Sequence, residues 1–157
     1  MLVFFKPFKV GDYIDSGDGD SETVTDINVF YTTIVTPDNK VVVVPNGGLS
    51  NKAIVNYSEK ETRRVDLAFN VAYGSDIEKV KAVMLKVGGS HEKTLKDPEP
   101  VVLVTSYKDC AIELTIRLWC NNEDYWTCYF DVNESMKKAF DEEGITIPFP
   151  QLNVHTF

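Results

Sequence analysis

Apolar and polar positions along this chain follow a strand-like period up to about residue 58 and a mixture of strand and helix periods after it. Val10 to Asp15 reads as a short strand entered through the turn Val10-Gly11-Asp12. Thr23 to Thr36 is rich in Val, Ile, Thr, Phe and Tyr and predicts one long, bent strand. Val41 to Val44 is an unbroken β-branched run, which is either buried on both faces or paired with another chain. Ala53 to Ser58 is a last short strand. Polar Asp15 to Glu22, Pro37-Asp38-Asn39-Lys40 and the sharp break Pro45-Asn46-Gly47-Gly48 separate these runs. Short strands around one core suggest a small, strongly bent barrel.

The charged, aperiodic stretch Ser58 to Arg64 marks a domain boundary. Beyond it, Val65, Leu67, Phe69, Val71 and Tyr73 alternate with polar or small residues, the mark of a half-buried strand. Ser75 with Glu78 three residues later forms a capping box. It opens a helix with Ile77, Val80, Met84 and Val87 on one face, ending at Gly88-Gly89. Val101 to Ser106 and Ile112 to Leu118 read as two more strands. Asn121 or Asn122 caps a second helix whose apolar face is Tyr125, Tyr129, Val132, Met136 and Phe140, with Gly144 at its end. Pro148 and Pro150 hold the next segment extended, and Leu152, Val154 and Thr156 alternate in a terminal strand. The order β-α-β-β-α-(β) suits an antiparallel sheet with both helices on one face, a ferredoxin-like arrangement. The terminal strand either joins that sheet or leaves the domain.

Composition is that of a globular protein, with 43% apolar and 25% charged residues. The net charge of −8 sets the chain against phosphate backbones, so nucleic acid is not an expected partner. Cys110, Cys120 and Cys128 are odd in number and lack metal-site spacing, which points to buried thiols in a reducing compartment. Asp15, Asp18, Asp20 and Glu22 lack the spacing of a calcium loop and read as a solvated acidic turn. Pro45-Asn46-Gly47-Gly48 lacks the lysine and helix start of a phosphate loop and reads as a structural turn. His91 and His155 have no Cys, Asp or Glu at ligand spacing and read as surface or interface residues. Trp119, Tyr125, Trp126 and Tyr129 read as core and subunit packing. No catalytic residue, metal or cofactor is expected. The opening, Met1 to Phe5 followed by Lys6, Pro7 and Lys9, looks like a chain leaving a bilayer: an apolar end, cationic anchors, then a helix-stopping proline. It is too short for a signal core or a span, which needs about 20 apolar residues.

Eight pieces stand in a recognisable order. They are Lys6-Pro-Phe-Lys-Val-Gly-Asp-Tyr-Ile14, Thr23-Val24 with Thr32-Thr33, Pro45-Asn46-Gly47, Asn56-Tyr57-Ser58, Arg63-Arg64, Val71-Ala-Tyr-Gly-Ser-Asp76, Asp97-Pro98 and Gly144-Ile-Thr-Ile-Pro-Phe-Pro-Gln151. Their arrangement resembles that of the small-conductance mechanosensitive channel (MscS) family over essentially the whole chain. The resemblance implies an α+β chain without the spanning helices. Its parts are the end of a pore-lining helix (1–9), an Sm-like β domain (10–58), a ferredoxin-like α/β domain (62–149) and a C-terminal strand of an inter-subunit barrel (150–157). It further implies a homoheptameric cage with side portals on the cytoplasmic face of the cell membrane. That cage is tied to the bilayer through the missing upstream helices and passes ions and small solutes on osmotic stress.

Carried over by position, Phe4, Phe5, Lys6 and Lys9 match the pore-helix end, and the two lysines serve as lipid-head contacts or as interface anchors. Pro45, Asn46 and Gly47 match the loop lying against that helix. Asp66 matches a portal position, and Leu152, Val154 and Thr156 the base barrel. Glu22 stands where the family has a glycine before Thr23-Val24, a local departure. The missing helices imply either a truncated version or a gene fragment, with the tension-sensing part lying before Met1. Two rivals are an Sm-like oligomeric module binding RNA, which the acidic charge opposes, and an enzyme using a divalent metal in the acidic loop.

Overall fold

The computed structural model describes residues 7–17 and 21–155. The chain forms two compact units, Met1–Glu61 and Thr62–Phe157. Among the described residues no helix is long and apolar enough to cross a membrane.

The first unit is one antiparallel sheet of five short strands: β1 (Tyr13–Asp15), β2 (Ser21–Ile27), β3 (Tyr31–Val35), β4 (Val41–Pro45) and β5 (Val55–Asn56). Their spatial order is β4-β3-β2-β1-β5, so β4 and β5 are the edges. Alternation along the strands turns Ile14, Val24 and Ile34 inward. Phe8 from the entry segment and Leu49 from a short helix, α1 (Asn46–Ser50), complete the core with them.

Three expectations change here. The span Thr23–Thr36 is a hairpin, not one bent strand. The Asn28 side-chain oxygen accepts the N–H groups of Phe30 and Tyr31 at 3.0 and 2.7 Å, and the Asn28 N–H donates to the Tyr31 carbonyl, which reverses the chain. A bulge between Val24 and Asp26 adds the bend. Val41–Val44 is not buried on both faces. It pairs β3 on one side only, with Val41 and Val43 exposed. The stretch after Pro45 is helical, because proline supplies an extended N-cap and needs no N–H there.

The second unit contains β6 (Thr62–Val71), helix α2 (Ile77–Ser90), β7 (Val101–Tyr107), β8 (Ile112–Asn121) and helix α3 (Tyr125–Glu142). The sheet order is β6-β8-β7, all antiparallel, so the crossover from β6 through α2 to β7 leaves a gap that β8 fills. The fold class is α+β, with a split β-α-β core. β6 and β8 pair without a break from Thr62↔Asn121 to Val71↔Ile112. That register puts Val65, Leu67 and Val71 beside Leu118, Ile116 and Ile112 on the helix-covered face, where Val80, Met84, Val132, Met136 and Phe140 pack on them.

The N-cap of α2 is Asp76 rather than Ser75: its carboxylate accepts from Glu78 and Lys79 N–H at 3.0 and 3.2 Å. The helix does not end at Gly88-Gly89 but continues to Ser90. Gly88 is buried where a Cβ would lie 2.4 Å from Ile116 Cδ1, so its missing side chain lets α2 approach β8. Neither Asn121 nor Asn122 caps α3, since a 3-10 turn over Asn122–Asp124 intervenes. Cys128 joins the buried face of α3, while Tyr125 and Tyr129 are half-buried. Gly144 (φ +67°) ends α3 in a Schellman turn, with Ile145 N–H on the Phe140 carbonyl at 2.8 Å and Ile145 buried.

Candidate functional site

The entry segment is fastened to the first unit by a buried carboxylate. Asp12 accepts the Lys9 N–H at 3.0 Å and the Asn56 side-chain amide at 2.8 Å. That same amide lies 3.4 Å from the Pro7 carbonyl, and Gly11 N–H reaches the Val24 carbonyl at 2.7 Å through a positive φ of 96°. With Phe8 in the core, Pro7 to Asp12 is held at both backbone and side chain. Asp12, Phe8 and Asn56 were not among the expected site residues. The signal available was a short polar residue three positions after Lys9 inside an otherwise apolar entry.

Asn46 is the second junction. Its side-chain amide donates to the Asn28 and Val29 carbonyls at 2.7 and 3.1 Å, and its oxygen accepts the buried Thr32 hydroxyl at 2.8 Å. Its backbone N–H donates to the Phe30 carbonyl, and its carbonyl accepts Ser50. One side chain thus welds the β2–β3 hairpin tip to the start of α1, while Val29 and Phe30 stay exposed at that tip. Pro45 is the N-cap and Gly47 lies exposed in α1. Lys9 is exposed. Phe5 and Lys6 lie outside the described residues.

Asp66 stands on the sheet face of the second unit that the helices leave bare. Its carboxylate accepts a two-pronged bond from Arg64 at 2.7 and 2.9 Å, and Arg117, its cross-strand partner, lies 3.9 Å away. The same bond holds the Arg64 guanidinium above its ordinary range. Asp66 is therefore a compensated charge.

Leu152 and Val154 are exposed, and no strand is assigned over 151–155 in the single chain. Thr156 lies outside the described residues, as do Asp18 and Asp20. Asp15 bonds Gly17 N–H at 2.7 Å within its own turn.

His91, expected as a surface or interface residue, has partners distant in sequence. Its Nε2 lies 3.2 Å from Asp131 and its Nδ1 3.6 Å from Cys128 Sγ, with Nδ1 also accepting the Lys93 N–H. Thiol, imidazole and carboxylate in a row are the parts of a nucleophilic site. Here burial pushes the Cys128 thiol up to about 12, with the Cys120 thiol adding to it, so the sulfur stays protonated and out of reach. Among the described residues, no group of three or more His, Cys, Asp or Glu side chains could hold a metal ion.

Two family models match the chain: "Mechanosensitive ion channel, beta-domain" over residues 1–59, and "Mechanosensitive ion channel MscS, C-terminal" over residues 65–147. A small-conductance mechanosensitive channel of Edwardsiella ictaluri is 40% identical over 157 residues, all of this chain and 54% of that protein. The mechanosensitive channel MscK of Escherichia coli is 32% identical over 99% of this chain, but only 14% of its own length. The crystal structure of Helicobacter pylori MscS in its closed state superposes with a TM-score of 0.92 at 31% identity, covering 99% of this chain and 62% of that one. The chain spans about half the length of the first curated relatives it matches.

Proposed function

The chain belongs to the mechanosensitive ion channel MscS family, and we propose that it forms the cytoplasmic vestibule of such a channel, seven copies enclosing a cage below the pore. In this reading, membrane tension acts on helices upstream of Met1, because an open pore occupies more area in the bilayer. The vestibule holds the subunits in register and filters what passes through portals near Asp66. Ions and small solutes leave through it on osmotic downshock.

The observation that carries the reading is the fastening of Pro7–Asp12. A helix arriving at Pro7 meets a segment fixed by Asp12, Asn56 and Phe8, so a displacement of that helix is passed to the β unit and not absorbed by a loose linker. The family match over both units supports it. In the same reading, Pro45, Asn46 and Gly47 receive the side of the pore helix at a hairpin tip that Asn46 makes rigid, and Phe5, Lys6 and Lys9 form the end of that helix. Leu152, Val154 and Thr156 gain their strand partners only from neighbouring copies, which accounts for apolar side chains left bare in one chain.

The test is osmotic survival. The full-length channel carrying this chain is expressed in cells lacking tension-activated channels, which are then shifted from high to low osmolarity. Survival well above the empty-vector control is expected. Survival equal to that control, with the protein present in the membrane, contradicts the reading.

A further inference from the structure

We infer that His91 is an acid-sensitive latch of the second unit: the neutral ring ties the loop after α2 to α3, and the charged ring releases that loop. The inference concerns the second unit alone and goes beyond the vestibule reading. His91 is the C-cap residue of α2, and its side chain is only 13% exposed. Two donors meet its Nδ1. The Lys93 N–H donates to it at 3.3 Å, and the Cys128 Sγ lies 3.6 Å away. A backbone N–H can only donate, so Nδ1 must present its lone pair. Cys128, kept protonated by burial, has an S–H to give to the same atom. The proton of the neutral ring therefore sits on Nε2, where it faces the Asp131 carboxylate at 3.2 Å. Around this ring the loop folds on itself and onto the end of β8. The Thr94 N–H donates to the His91 carbonyl at 3.0 Å, the Leu95 N–H donates to the Trp119 carbonyl at 2.7 Å, and Thr94 bridges to Cys120.

A second proton on the ring goes to Nδ1, where the Lys93 N–H and the Cys128 S–H already point. Both bonds need the lone pair that this proton consumes, so both are lost and three hydrogens converge on one place. On the other side of the ring the bond to Asp131 becomes charge-assisted and shorter. Asp131 is 58% exposed, whereas Cys128 is buried, so the charged ring is drawn outward, and the Lys93 N–H is left without its acceptor. The surroundings add few competing charges. From α3, Asp124 pairs with the Lys93 ammonium at 3.5 Å. From β8, the Cys120 thiol faces the Arg63 carbonyl. From β6, the Arg63 guanidinium lies over the Tyr125 ring. Glu92, on the loop itself, is exposed. Of these side-chain types, imidazole is the one that ordinarily changes charge between about pH 5 and 8. Burial moves both thiols upward, away from that range.

The test uses the 157-residue chain labelled with ¹⁵N at histidine. Nitrogen chemical shifts report the tautomer and the titration of each ring, with exposed His155 as the internal reference. Hydrogen exchange read by mass spectrometry, corrected for the intrinsic pH dependence of exchange, reports the amides of residues 93 to 95 between about pH 5 and 8. The inference expects a neutral His91 with its proton on Nε2. It also expects protection of those amides to fall by up to about tenfold for each pH unit below the His91 midpoint. In His91→Asn the side-chain oxygen can take the Lys93 N–H two residues on and does not titrate, so protection should persist at both ends of the range. A neutral ring with its proton on Nδ1 overturns the inference. So does protection that stays level while His91 takes up its proton, or the same fall in His91→Asn, which would assign the effect to another group. The comparison of midpoints in the unaltered chain decides the matter even where the variant does not fold.

Discussion

The side-chain amide of Asn56 donates to the buried carboxylate of Asp12 at 2.8 Å, across 44 residues of chain. The contact joins the edge strand β5 to the segment by which the chain enters the first unit, and it shares that carboxylate with the Lys9 N–H. A buried carboxylate costs free energy unless its oxygens are bonded, so this one specifies a single position for the entry segment.

Removing either partner exposes that dependence. Asp12→Ala strands the Lys9 N–H and the Asn56 amide and is expected to destabilise the first unit by about 1–3 kcal/mol. Asn56→Ala removes one bond to the carboxylate and gives a loss of the same order. Urea unfolding with a probe in the first unit, such as Tyr13 or Tyr57 fluorescence, checks both. An unmoved midpoint in Asp12→Ala contradicts the clamp.

Gly88→Ala is expected to cost about 1–3 kcal/mol by overpacking, because its Cβ would meet Ile116 Cδ1 at 2.4 Å. Ile116→Val deletes that methyl. The double variant should therefore recover part of the loss, and the coupling energy from a double-mutant cycle of urea midpoints measures it. Strict additivity would place the strain elsewhere.

Stability should fall at high pH through the thiols of the second unit. Burial raises the Cys128 thiol to about 12 in the fold and raises Cys120 as well, whereas an unfolded cysteine titrates at about 8.5. The folded state therefore holds protons that the unfolded state releases. The stabilisation is complete below the unfolded pKa and is lost as pH rises from about 8.5 towards 12. Urea midpoints across that range should decline, and the slope should flatten in Cys128→Ala.

At the proposed portal, Asp66 is held by Arg64 and faced by Arg117. Asp66→Asn unmasks two guanidinium groups, and Asp66→Lys adds a third cation. Reversal potentials of the full-length channel in asymmetric salt should shift towards anion preference in the order wild type, Asn, Lys. Screening limits the effect beyond about 10 Å at ordinary salt, so it should grow as salt is lowered.

Much of the second unit was legible, because period-two and period-3.6 patterns are long there: Val65 to Val71 and Ile112 to Leu118 are strands with the expected inward faces. What misled was local chemistry. A glycine pair after an apolar helical face reads as a stop, yet Gly88 is there for closeness to Ile116. A run of β-branched and aromatic residues reads as one strand, yet Asn28 turns it. At the candidate site, Asn46 was visible through its turn-like neighbours. Its partners Thr32 and Asn28, and the Asp12–Asn56 pair, depend on contacts 14 to 44 residues apart that no spacing rule encodes. The partners of His91 were hidden for the same reason, Cys128 and Asp131 being 37 and 40 residues away.

Patch-clamp recording of the full-length channel under graded suction, in membranes without other tension-activated channels, tests the central claim most directly. The vestibule reading predicts stepwise currents above a tension threshold, and a changed threshold in Asn56→Ala at equal surface expression. Silent patches at every tension short of rupture, with the protein present in the membrane, would contradict it.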